Sequence, residues 1–298
     1  MVPPKEDTFT PFEVALAGAS LASPWIGDIY EPDYALLEEL VSIPVAAGAT
    51  SETGRFPKAF DVWVAHELRR AGFDPDEVWP RASRPRVLPR DLKLLLDRYV
   101  PASDRPAIAA FLANHGNASM MAPVDARVLG RVYTKQADVL IAHWARGIEV
   151  LVSTKTMVSS YGNNLRNRFE ESYGDAVNLR GRFPMAALGF LFAVRSNIPA
   201  SDLVFLRDML DKLREPAGYD ATCLVVIDWA DAGPVTVRHD LMDEHIGPVR
   251  FLGDLVEGVL DRTPIDHHVE VRNRRDHTAL PIAEGQLDDG LAEVDAPD

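Results

Sequence analysis

The 298-residue sequence predicts an α/β fold with a central mixed β-sheet flanked by helices, on three observations. Residues 138–155, DVLIAHWARGIEVLVSTK, are two apolar runs joined across a short polar break, the pattern of a β-hairpin. Residues 221–228, ATCLVVID, are almost continuously apolar, as in a strand covered on both faces. Segments with helical periodicity stand between and around these runs, so that strands and helices alternate.

Residues 1–50 contain PFEVALAGASLA and DYALLEELVSI, two amphipathic helical patterns separated by a turn at Glu31-Pro32-Asp33, and are expected as an N-terminal helical extension. After a loop at 51–55, residues 58–71 read as a helix with Phe60, Val64, Leu68 and Ala71 on one face, ended by Gly72. Its polar residues of interest are Asp61, His66 and Glu67. Residues 78–90 are a Pro- and Arg-rich loop leading into the helical DLKLLLDRYV. A capped helix then runs from Ser103 to about Asn114, and residues 115–123 are loop. Val128–Tyr133 is expected as a strand completing a three-stranded meander with the hairpin.

A polar helix follows over 165–179, and residues 184–194, PMAALGFLFAV, must be buried as a strand or short helix. The next helix, capped by Ser201 or Asp202, carries a core stripe of Leu206, Met209, Leu210 and Leu213. A last helix covers 252–260, which closes a core domain over 51–262. Residues 263–298 read as a polar, acidic, flexible tail. His267, His268 and His277 invite a metal reading, but no second Cys or His cluster at a recognised spacing accompanies them.

Composition narrows the class. Apolar residues at 47% and charged residues at 26% mark a globular protein. The start, MVPPKEDTF, lacks a basic region before an apolar core, and no run of 18 uncharged apolar residues occurs, so neither membrane insertion nor secretion is expected. The single cysteine, Cys223, cannot form an intramolecular disulfide and fits a reducing cytoplasm. There is no GxxxxGK phosphate loop and no GxSxG elbow, which disfavours P-loop and serine-hydrolase chemistry. A net charge of −14 argues against nucleic acid at first sight, but the last 16 residues alone hold six acids and no base. Residues 131–182 carry eight Lys/Arg against five acids, and residues 81–98 carry six against two.

The hairpin carries the candidate chemistry. Alternation along a strand puts Ser153 and Lys155 on one face, and antiparallel pairing brings Asp138 beside them. An acid to hold a hard cation and a lysine to orient water and offset phosphate charge are what metal-assisted phosphodiester hydrolysis requires. With Asp138 on one strand and Ser153-Thr154-Lys155 on the next, the pattern resembles the PD-(D/E)xK nuclease superfamily, in its Ser-x-Lys variant found among type II restriction enzymes. Serine stands where the second acid would be. The resemblance covers about half the chain and implies a restriction-endonuclease-like core. It further implies that a glutamate on the following helix replaces the lost acid, for which Glu170 is preferred as the metal ligand beside Asp138, with Glu171 as the alternative. A helix ahead of the sheet is expected to lend an acid, which nominates Glu67.

The resemblance implies a Mg²⁺-dependent DNA endonuclease, commonly dimeric and acting in defence against foreign DNA. Arg166, Arg168 and Asn167 would meet the phosphates, joined by Arg84 and Arg86 from the Pro-rich loop. Two other classes fit the same sequence. One is a silent member of this fold that binds nucleic acid or a partner protein without cutting. The other is an interaction domain whose acidic surface meets a basic partner.

Overall fold

The computed structural model describes residues 7–50, 54–113, 125–214, 218–231 and 233–280. The first fifty residues form helix α1 (Glu13–Gly18), a small hairpin of β1 (Trp25–Ile26) and β2 (Ile29–Tyr30), and helix α2 (Tyr34–Ala46). Helix α3 (Arg55–Arg70) and strand β3 (Val78–Trp79) follow, then α4 (Arg90–Leu94), α5 (Arg105–Ala113) and a second small hairpin of β4 (Ala126–Leu129) and β5 (Thr134–Ala137). The long hairpin is β6 (Val139–His143) and β7 (Gly147–Met157). Beyond it come α6 (Asn163–Arg180), β8 (Ala187–Arg195), α7 (Ala200–Leu213), β9 (Ala221–Asp228), β10 (Thr236–Val237), α8 (Pro248–Leu260) and α9 (Val269–Asp276).

The fold is α/β, built on a mixed six-stranded sheet in the order β10-β9-β8-β7-β6-β3. Strands β7, β8 and β9 are parallel, joined by crossovers through α6 and α7; β6, β3 and β10 run antiparallel to their neighbours. Alternate side chains feed two cores. Val139, Ile141, Val150, Val152, Cys223 and Val225 meet Phe60 and Val64 of α3 and Leu252 and Leu255 of α8. Leu140, Leu151, Phe190, Leu224 and Val226 meet Leu165 and Leu179 of α6 and Leu206 and Leu210 of α7. Each such side chain removed from water contributes about 2 kcal/mol. Helix α3 is buried on nearly every side from Phe56 to Arg69, the signature of a central rather than a surface helix.

Several elements differ from their sequence expectations. The expected third meander strand at 128–133 does not join the main sheet: β4 pairs only with β5, because Gly130–Tyr133 turns the chain back on itself. The place beside β6 goes to Val78 and Trp79, from the segment expected as loop. Residues 184–194 resolve as strand, since β8 is buried over Ala187–Val194 between two parallel neighbours. Residues 7–50 contribute to the main core, with Phe12, Leu37 and Leu40 fully buried in it.

Part of the segment expected as a tail from residue 263 is packed on the core. Helix α9 buries Val271, and Arg274 Nη1 donates to the Arg70 carbonyl at 2.7 Å. Gly72 makes this docking possible. Its φ of +105° excludes most side chains, and a Cβ there would lie 3.1 Å from the Glu270 and Val271 backbone. The expected loop at 115–123 and the acidic segment from 283 lie outside the described residues. Among the described residues no helix is long and apolar enough to cross a membrane.

Candidate active site

Strand register builds the site. Pairing of Val139 with Val152 sets Asp138, one residue ahead of β6, opposite Ser153. Asp138 Oδ2 accepts from the Thr154 amide at 3.0 Å and from Ser153 Oγ at 3.3 Å. Lys155 stands two residues on, on the Ser153 face, half-buried. Among the described residues no hydrogen bond or ion pair engages its ammonium. Strand β7 runs on to Met157, so Lys155 is held by pairing with Phe192 of β8 rather than left at a frayed end.

Thr154 points to the opposite face and meets α3. Its hydroxyl donates to Asp61 Oδ1, and Lys58 Nζ donates to Asp61 Oδ2 at 2.7 Å. Thr154 therefore ties two carboxylates together, Asp138 through its amide and Asp61 through its side chain. Asp61 is fully buried. Burial raises its carboxyl above the usual range, Lys58 opposes this, and the negative charge of Asp138 adds to it.

The face carrying Ser153 and Lys155 is covered by α6. Glu171 and Asp175, one turn apart, both approach Lys135 of β5, with Glu171 Oε1 at 3.6 Å and Asp175 in direct contact. Arg168 donates to Glu171 at 2.7 Å. Burial alone would raise the Glu171 carboxyl, but Arg168, Lys155 and Lys135 together hold it below its ordinary value. Glu170 is exposed. One residue is about 100° of helix, so the two glutamates cannot share a direction, and it is Glu171 that faces the lysines. Asn167 and Arg168 line an open cleft of about 580 Å³ with Thr156, Met157, Ser159, Ser160 and Asn164, at the end of β7 just past Lys155. Arg166 is exposed, 5.7 Å from the centre of the Phe205 ring.

Three nominated residues lie elsewhere. Glu67 is six positions beyond Asp61 on α3, about 9 Å along the axis and turned by about 120°. It accepts from the Asp33 amide at 2.9 Å and Arg70 Nη1 at 2.8 Å, with the Tyr30 hydroxyl at 3.0 Å, so it braces the N-terminal segment. Arg86 is fully buried, its guanidinium held by Asp7 and Glu13. Arg84 donates to Asp7 at 2.7 Å. Burial pushes the Asp7 carboxyl up, yet the hydrogen bond and charge of Arg86, with the Phe9 amide and Arg84, hold it below its ordinary value. The Pro-rich loop thus spends its arginines on internal acids: Arg81 on Asp76 and Arg90 on Asp74 as well.

Lys58, Thr154 and Lys135 were given no site role from sequence, and Asp61 was marked only as a polar residue of interest on its helix. For Asp61 a signal exists. It interrupts the apolar run Ala59, Phe60, Val62, Trp63, Val64 and Ala65, all buried, and an acid placed there needs a partner.

The donor set suits a hard cation. Asp138 and Asp61 present carboxylate oxygens at one residue, and Ser153 adds a hydroxyl; oxygen donors with one or two carboxylates are what Mg²⁺ takes while keeping several waters. Among the described residues no group of three or more His, Cys, Asp or Glu is placed to hold a metal ion. Comparison with protein-family models, curated proteins and solved structures gives no match to this chain.

Proposed function

We propose that this chain is a Mg²⁺-dependent DNA endonuclease, acting in restriction or defence against foreign DNA, with a homodimer as its working form. The observation that carries the reading is the meeting at Thr154: Asp138 ahead of β6 and Asp61 from α3 share one residue of β7, and Lys155 stands next to it. Asp138 and Asp61 would hold the metal, which when bound would polarise the scissile phosphate and acidify a water. Lys155, whose ammonium no hydrogen bond or ion pair engages among the described residues, orients the attacking water through its N–H groups and offsets phosphate charge. Ser153 fixes Asp138 by hydrogen bonding and leaves its second oxygen for other donors.

Glu171 keeps Lys135 and Arg168 near the cleft, and Arg168, half-exposed, exchanges Glu171 for a phosphate as DNA enters. Asn167 and the serines at 159 and 160 line the same cleft and supply neutral hydrogen bonds. The element order supports the reading too: helix, strand, hairpin, crossover helix and parallel strand put the acid, the Ser-x-Lys segment and the glutamate helix on adjacent elements.

A second reading, a nuclease-like protein that binds nucleic acid or a partner without cutting, is favoured by the serine at the second-acid position and by the Lys58 ammonium seated on Asp61. Supercoiled plasmid incubated with and without Mg²⁺ separates the two. The endonuclease nicks only with Mg²⁺, and Lys155→Ala slows it about a hundredfold or more. DNA binding without nicking supports the second reading, and nicking indifferent to Lys155→Ala contradicts the assignment of this site.

A further inference from the structure

Lys58 has no part in the chemistry above, yet it sits among the acids that perform it. Its Nζ lies 2.7 Å from Asp61 Oδ2, and the side chain is largely buried, 16% exposed. It shares a crevice with Asp125 and Asp138, whose walls include Gln136, Ala137 and Val87. The Phe9 ring lies over it, 4.9 Å from Nζ, and Arg86 flanks the same ring, 5.9 Å from its centre. A lysine at a surface i,i+3 pair wanders in solvent; this one is clamped from above and enclosed by carboxylates below.

Two observations give the clamp a purpose. Asp61, fully buried, and Asp138, half-buried, are tied to one threonine, and their negative charges repel unless a positive charge stands with them. Both Asp61 oxygens are already engaged, Oδ1 by the Thr154 hydroxyl and Oδ2 by the Lys58 ammonium. A metal that takes Oδ2 has to take the place of that ammonium.

We infer that Lys58 is a built-in counter-cation of the Asp61 and Asp138 pair, and that a divalent metal binds only by displacing it. The inference rests on the endonuclease reading, because it takes these two aspartates as the metal's ligands. The exchange is of one cation for another: the ammonium leaves Asp61 with its proton and swings toward solvent, and the metal takes over the carboxylate oxygens. In the metal-free protein Lys58 keeps the acids assembled, and it sets the concentration at which metal can enter. Lys58 is thus a positioning residue, acting through the carboxylates.

Calorimetric titration with MgCl₂ and MnCl₂ tests this on the intact chain, comparing wild type, Lys58→Met and Asp138→Asn. Lys58→Met tightens metal binding by about tenfold or more, the gain from removing a competing cation, and Asp138→Asn abolishes it. Equal affinity in wild type and Lys58→Met overturns the inference and leaves the metal site standing. Absence of binding in all three overturns the metal reading itself.

Lys58→Met leaves Asp61 without its ion pair and can unfold the chain, so a second measurement uses wild type alone. Acylation of lysine amines, read by mass spectrometry, reports how far each ammonium is exposed. Saturating Mg²⁺ raises labelling of Lys58 about fivefold or more as it moves out, by comparison with Lys212, already on the surface. Labelling of Lys58 unchanged by a metal that calorimetry shows to be bound overturns displacement.

Discussion

Thr154 does more for the site than any of the charged residues expected there. Its hydroxyl joins the sheet to Asp61 of α3, and its amide holds Asp138. Thr154→Val keeps the shape and the amide but strands Asp61, and is expected to cost about 1–3 kcal/mol in denaturant unfolding and to lower nicking with it. Asp61 and Glu67 separate role from position. On the proposed reading Asp61→Asn is expected to stop cleavage in a protein that still folds, and Glu67→Gln to leave the cleavage rate of the folded protein unchanged, measured with the same plasmid.

Glu67 also predicts a pH dependence. Burial raises its carboxyl to about 7, against Arg70, the Asp33 amide and Tyr30, which pull it down. A folded value above the unfolded one means that the native state holds the extra proton between about 4.5 and 7. Over that window the Glu67 contribution to stability falls as pH rises, and it is fully favourable only below the window. Glu67→Gln flattens this part of the stability profile, seen as a smaller change in denaturation midpoint between pH 5 and about 7. A profile identical to wild type contradicts the assignment.

At the scale of elements, the long hairpin and the parallel strands were legible because their apolar runs obey a period that little else produces. The closeness of Asp138 to Ser153 followed from antiparallel pairing of the two runs, and the register sets them opposite. The short strand at Val78 and Trp79 was not legible: two residues carry no periodicity, and prolines at 80 and 85 mark the segment as loop. The arginines after it looked available to phosphate because sequence shows charge but not partner. Asp7 and Glu13, more than seventy residues away, neutralise them. The choice between Glu170 and Glu171 turned on one step of helix phase, which Lys135 of β5 fixes and which no local pattern in α6 reveals.

The C-terminal helix makes the same point. Its eight residues read as polar tail, yet Val271 is buried and Arg274 bridges to α3. Removing residues 263–298 is expected to lower the melting temperature by about 5 °C or more, since each kcal/mol lost at this size shifts it by roughly 2–4 °C. Calorimetric scans of the two lengths check this; equal melting temperatures contradict it.

Across the whole molecule the charge of −14 sets the terms for DNA. On the proposed reading association with DNA relies on a local basic cleft, since the distant field repels phosphate. Arg168, which lines the cleft, is exposed and Lys155, just before it on β7, is half-buried, whereas Arg84 and Arg86 are held by internal acids. Arg168→Ala is therefore expected to reduce the slope of log affinity against log salt by about one, and Arg84→Ala to leave it unchanged. Fluorescence anisotropy over a salt series reads both slopes, and a slope lowered by Arg84→Ala would move the interface to the other side of the sheet edge.

The claim that joins these scales is that Asp138, held by Thr154 and Ser153, is the anchor of a divalent-metal site for cutting DNA. The most direct measurement is the initial rate of supercoiled-plasmid nicking at saturating Mg²⁺ for wild type and Asp138→Ala, with each protein's folding verified by its unfolding transition. The account predicts that wild type nicks and that Asp138→Ala falls by about a thousandfold, to the level seen with metal chelated. A folded Asp138→Ala protein that nicks at the wild-type rate contradicts it.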